Sequence, residues 1–229
     1  MIAIRPAGAR GVTRSDALLN RHSFSFGDYH DPAHMGFGPL RVINEITLAP
    51  GALIAAQPRA NIELLNWVIV GAMRNAAADD DSVLQAGDAS CLSAGRGLDE
   101  GVANGSDEQT ATVLQVWIQP DRVNAVARAS RMSVGDRDGV HLIASADGRD
   151  GSMPIRQDVS VFAVRLRAGG RAAHALCLGR RAWLQVTVGS LEINGLQVVA
   201  GDGAVALHEN SIDMVTRSAA ELLLFDVSE

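Results

Sequence analysis

Six histidines are the residues of this chain best suited to hold a metal or move a proton, and His22, His30 and His34 stand close together in sequence. His30 and His34 are four apart, the spacing that sets two rings on one helix face in zinc enzymes. Asp31-Pro32 interrupts the run, proline disfavours helix there, and no third ligand follows nearby. A packed loop is therefore expected, not a metal centre. His141, His174 and His208 are isolated and read as structural or solvent-facing. Asp79-Asp80-Asp81 concentrates carboxylates without the spaced oxygen ligands that calcium requires, so it reads as a solvated hairpin tip. Neither Gly36-Phe-Gly38 nor Gly201-Asp-Gly203 continues into a phosphate-binding loop, and there is no serine nucleophile elbow.

Longer strings carry a resemblance. His22-Ser-Phe-Ser-Phe-Gly-Asp-Tyr-His-Asp-Pro-Ala-His-Met-Gly-Phe-Gly-Pro-Leu-Arg-Val-Ile-Asn-Glu45 is followed by Gly51, Pro58, Glu63, Gly71, Ser93-Ala-Gly-Arg-Gly97 and Val116-Trp-Ile-Gln-Pro120. The second half adds Asp147-Gly-Arg-Asp-Gly151, Arg180-Arg-Ala-Trp-Leu-Gln-Val186, Ala200-Gly-Asp-Gly-Ala204 and Leu222-Leu-Leu-Phe-Asp226. In this order and at these separations they resemble the pirin family of bicupins, which includes quercetin 2,3-dioxygenases, over nearly the whole chain. The resemblance implies a divalent metal such as iron in the first barrel, none in the second, and oxidative opening of a flavonol ring in active relatives. It also implies that two histidines from one strand, and a histidine and a glutamate from another, hold that cation. Here those positions carry Gln57, Arg59, Glu100 and Val102. A guanidinium and an isopropyl group have no lone pair for a metal, and a fixed cation repels one. The expectation is a vacated site with no metal cofactor. Arg59 is then either neutralised by Glu100 in the space of the cation or extended to the barrel mouth.

The elements that would position these residues are strands. Leu40 to Leu48, Ile62 to Val70 and Thr112 to Ile118 are short, β-branched-rich runs between glycine, proline, asparagine or aspartate. Val159 to Leu166, Arg181 to Val188, Gly203 to Leu207, Ile212 to Thr216 and Glu221 to Asp226 repeat the style. Asn194-Gly195 between Leu191 and Val199 predicts a type I′ hairpin. A faint repeat aligns Val70-Gly71 and Gly87-Asp88 with Val188-Gly189 and Gly201-Asp202. The expected fold is all-β: two cupin (double-stranded β-helix, jelly-roll) barrels packed face to face. Residues 1–121 form the N-terminal barrel, 122–138 a connection with a short helix near Val123 to Ala129, and 139–229 the C-terminal barrel.

Composition narrows the function classes. Apolar residues make up 47% and charged residues 20%, which suits a globular protein, and the net charge of −6 leaves no global basic field for nucleic acid. Arg165, Arg167, Arg171, Arg180 and Arg181 should scatter over two faces of their strands, without the interleaved aromatics of single-strand binders. Cys91 and Cys177 are expected as buried, reduced thiols. No apolar run reaches the roughly 18 residues of a membrane span and no secretory leader is recognisable, so a cytoplasmic protein is expected. Its partner is expected to be a small polar ligand or another protein. The first functional expectation is a non-catalytic ligand-binding or regulatory protein. The alternative is a metal-dependent flavonol (quercetin) 2,3-dioxygenase working from an atypical site.

Overall fold

Strands form where β-branched residues alternate inward and outward between turn-forming residues. In the computed structural model, which describes residues 1–76 and 82–229, that pattern gives 22 strands and no α-helix among the described residues. Asp79-Asp80-Asp81 lies outside the described residues.

Two units result. One comprises residues 11–135 with 155–157, the other residues 1–10, 136–154 and 158–229. In the first, a seven-stranded sheet runs in the order Arg128–Ser133, Asp88–Ser93, Glu63–Val70, Ala111–Ile118, Leu40–Leu48, Leu18–His22, Gly11–Arg14. A four-stranded sheet, Leu53–Arg59, Leu98–Asn104, Ala72–Asn75, Val83–Gln85, belongs to the same unit. The second unit repeats the plan. Its seven-stranded sheet runs Ile2–Arg5, Gly203–Ala206, Arg180–Val188, Ala220–Ser228, Val159–Leu166, Gly139–Ser145, Met153–Pro154. Its four-stranded sheet runs Arg171–Ala175, Ser211–Val215, Ser190–Ile193, Leu196–Val199. The all-β, two-cupin architecture is thus the expected one. Asn194 and Gly195 take positive φ (47° and 81°) between Ser190–Ile193 and Leu196–Val199, as the hairpin requires.

Each unit has its own apolar interior. Ile46, Leu48, Val68, Met73, Val102 and Val113 cluster in the first. Leu184, Val186, Leu191, Met214, Leu222 and Leu224 belong to the larger cluster of the second.

The chain divides differently from the sequence boundaries. Arg128–Ser133, expected within the connection, pairs residue for residue with Asp88–Ser93 as an edge strand. No helix forms at Val123 to Ala129; Asn124 sits at φ 57°, which a right-handed helix excludes. Ile2–Arg5 pairs with Gly203–Ala206 of the second unit instead of joining the first. Ile2 and Ile4 pack against the second unit's apolar cluster, and Arg5 is buried. Deleting residues 2–10 should therefore cost about 3 kcal/mol, from two partly buried isoleucines and a lost edge ladder. The midpoint of thermal unfolding should fall by roughly 6–12 °C in calorimetry. An unchanged midpoint would show that this strand is decorative. No helix is long and apolar enough to cross a membrane among the described residues.

Candidate functional site

Strand parity aims a set of polar side chains into the first barrel. On Ala111–Ile118, Val113 sits in the apolar cluster, so Gln115 and Trp117 continue along the same inward face. On Glu63–Val70, Val68 does the same and Asn66 follows it inward. Leu98–Asn104 pairs with Leu53–Arg59 so that Glu100 faces Gln57, and a bulge separates Glu100 from Val102. The last two strands bring Gln57, Arg59 and Glu100 together. The Arg59 Nη2 donates to Gln57 Oε1 at 3.1 Å, and its Nε lies 3.6 Å from Glu100 Oε2. Its guanidinium carbon stands 4.6 Å from the centre of the Trp117 ring, a cation–π contact. Arg59 is the inward, paired arginine of the two arrangements considered. Val102 is not part of this group; it fills the apolar cluster beside Ile46, Val68 and Val113.

A hydrogen-bonded chain continues inward. Trp117 Nε1 donates to Gln115 Oε1 at 3.1 Å, and Gln115 Nε2 donates to Glu100 Oε1 and Asn66 Oδ1, each at 3.3 Å. Asn66 reaches Ser90 Oγ at 3.5 Å. Glu100, Asn66 and Ser90 line a cavity of about 280 Å³ together with Met73, Leu84 and Leu92. The Glu100 side chain is 6% exposed and that of Arg59 23%. Burial pushes the Glu100 carboxyl above its ordinary range, and the charge of Arg59 with the Gln115 hydrogen bond offsets only part of that push. The pair is loose. Its Nε–Oε2 separation exceeds a hydrogen bond, and the buried Arg59 Nε has no acceptor among the described residues. Among the described residues the polar neighbours of the Glu100 carboxylate are the Gln115 amide, at a long 3.3 Å, and the Arg59 guanidinium.

The other candidates fall elsewhere. His22 is buried and bonded from Nδ1 to Asn44 Oδ1 at 2.8 Å and from Nε2 to Thr13 Oγ1 at 2.9 Å, beside Phe26. His30 is exposed, and His34 pairs with Asp31 at 2.8 Å, so the three rings do not converge. His141 bonds to the Arg137 and Asp138 carbonyls. No group of three or more histidines, cysteines or acidic residues is placed to hold an ion among the described residues. Cys91 is buried, and desolvation strengthened by Glu63 pushes its thiol far up, so it stays protonated. Cys177, expected to be buried, is exposed beside the turn that leads into Arg180–Val188.

Comparison with known proteins places this geometry. The Pirin family model matches residues 5–118, and the model for the quercetinase C-terminal cupin domain matches residues 142–227. A protein of Escherichia coli (strain K12) named quercetin 2,3-dioxygenase is 32% identical over 228 residues, covering 99% of each chain. The pirin-like protein YhaK of the same strain is also 32% identical, over 99% of each chain. The crystal structure of the bacterial pirin YhhW from E. coli in complex with nickel(II) superposes with a TM-score of 0.94, at 32% identity over 100% of this chain and 99% of that one. These findings correct the expectation that no metal cofactor is involved, because they point to metal binding among close relatives. The four positions themselves do not make a conventional donor set here. Arg59 has only N–H groups to offer, Val102 has no heteroatom, and Gln57 Oε1 already accepts from Arg59.

Proposed function

The chain belongs to the pirin family, and on that premise we propose that its N-terminal barrel binds a small neutral molecule through hydroxyl groups, as a non-catalytic ligand-binding protein. The observation that carries this reading is Glu100. A nearly buried carboxylate has about four acceptor sites, and this one meets the Gln115 amide at 3.3 Å and the Arg59 guanidinium at 3.6 Å while facing a cavity of about 280 Å³. An under-bonded acceptor in a cavity wall favours a ligand that brings donors. Its charge is matched by Arg59, and Arg131 also lines the cavity, so the selectivity of this reading rests on hydrogen-bond donors meeting Glu100 and not on a net charge of the site. Asn66 and Ser90 each donate and accept, which suits hydroxyls, and Met73, Leu84 and Leu92 supply an apolar side.

Catechol is a fitting probe, with benzoate as the charged control. Titration calorimetry should show catechol binding to the wild type, weakened about tenfold or more in Glu100→Met, since a hydrogen bond to a charged group is worth roughly 1.5–3 kcal/mol. Equal affinity in the variant, or preference for benzoate, would overturn the reading. The names of the relatives favour a second reading, flavonol oxygenation. Nickel-dependent loss of quercetin absorbance with matching oxygen uptake would establish it in place of the first.

A further inference from the structure

The second barrel carries a polar cluster in the same inward place as the site of the first. On Ala220–Ser228, Leu222 and Leu224 belong to the apolar cluster, and Asp226 is the next residue on that face. It stands where Trp117 stands, four residues beyond a core position of its strand. His174, on Arg171–Ala175, reaches from the four-stranded sheet to this aspartate, Nε2 to Oδ2 at 2.9 Å. Arg180 fixes the aspartate from the other side. Its Nε donates to Asp226 Oδ1 and its Nη2 to the Asp226 carbonyl at 2.8 Å. Its Nη1 is held by Asp158 at 2.9 and 3.1 Å. The Phe162 ring packs on His174 with centroids 4.6 Å apart, and Ile212 stands opposite His174 in the bonded strand. The imidazole side chain is 13% exposed and the aspartate 10%.

This arrangement fixes the tautomer. A carboxylate can only accept, so the proton of neutral His174 resides on Nε2 and its lone pair on Nδ1. Both Asp226 oxygens are engaged, and Arg180 uses Nε, Nη1 and Nη2 on the two aspartates. His174 Nδ1 is the atom of the cluster with no partner among the described residues. With the imidazole 13% exposed, this basic nitrogen is open to a ligand arriving from solvent. We propose that His174 and Asp226 form a proton-accepting dyad in the C-terminal barrel, a second site that takes a ligand with a weakly acidic hydroxyl. On binding, the ligand O–H bond breaks and an N–H bond forms at Nδ1. The ligand anion remains paired with the imidazolium, and Asp226 stabilises that cation through Nε2. Asp226 and Arg180 are positioning residues.

The probe is 4-nitrophenol, whose colour reports its own ionisation near neutral pH. With wild-type protein in excess, its ionisation midpoint should move to lower pH. His174→Gln should return it to the free value, and Asp226→Asn should remove most of the shift. Glu100→Met, which alters the other barrel, should keep it, so the outcome does not depend on the catechol experiment. Nitrogen-15 resonances of the wild-type imidazole give a check independent of variant folding: Nε2 protonated in the free protein, with Nδ1 perturbed on probe addition. An unshifted midpoint, a shift that survives in His174→Gln, or a proton on Nδ1 in the free protein would each overturn the proposal.

Discussion

Arg59→Ala is expected to lower stability by about 2–3 kcal/mol at neutral pH, a fall in the unfolding midpoint of roughly 4–12 °C, and to do so in a pH-dependent way. Without the guanidinium, Glu100 keeps its desolvation and loses the charge that offsets part of it. Its carboxyl, already raised in the folded protein, rises further. A folded-state value above the unfolded one means that the native protein binds the proton more tightly, so stability falls as pH climbs through that interval. Below the unfolded carboxyl range, about pH 4, both states hold the proton and the penalty vanishes. The gap between wild type and variant should therefore be widest near neutrality and close in acid. Thermal melts across that range decide it. A gap independent of pH would mean that Arg59 acts by packing on Trp117 and not through Glu100.

Why this pair was readable while its surroundings were not follows from strand chemistry. Leu40–Leu48 and Val159–Leu166 were legible to the residue, because β-branched runs end there at turn-formers. Leu53–Arg59 and Leu98–Asn104 mix glutamine, proline, arginine, aspartate and glycine, and Leu53–Arg59 has several exposed residues. Local pattern does not announce such strands, and only the resemblance placed Gln57, Arg59 and Glu100. The remainder of the site carries a signal in its spacing. Gln115, Trp117 and Asn66 are polar-bearing side chains at even spacing from the core valines Val113 and Val68, so two-residue periodicity aims them inward. Val102 obeys the same parity as Glu100 but lies one step deeper, where the interior is apolar. His174 looked isolated because its partners come from other strands, Asp226 being 52 residues away. Residues 1–10 changed barrels for a comparable reason: Ile2–Arg5 finds its ladder at Gly203–Ala206, a pairing that no local pattern encodes.

The repeat aligns Gly71 with Gly189, and the structure gives both the same physical duty, which predicts a large effect of a single methyl group. Each ends a strand at positive φ, 72° and 73°, where the chain turns tightly against a neighbouring backbone. A Cβ at Gly189 would lie 2.2 Å from the Ala219 carbonyl oxygen, and one at Gly71 would lie 2.5 Å from that of Thr110. Alanine must pay the left-handed conformation, about 1–2 kcal/mol, and also push a strand aside, about 1–3 kcal/mol more. Gly189→Ala should therefore lose roughly 3–4 kcal/mol, a fall near 10 °C. Gly195 separates the two contributions: its φ is 81°, yet nothing lies within 4 Å of a Cβ there. Gly195→Ala should lose only the conformational part, about 1–2 kcal/mol. Equal losses at Gly189 and Gly195 would show that close backbone approach is not what these turns require. Gly71→Ala carries a functional consequence as well. It displaces the turn between Glu63–Val70 and Ala72–Asn75, and Asn66 and Met73 on those strands line the cavity beside Glu100. Catechol affinity should fall in Gly71→Ala and hold in Gly189→Ala, although both proteins melt early.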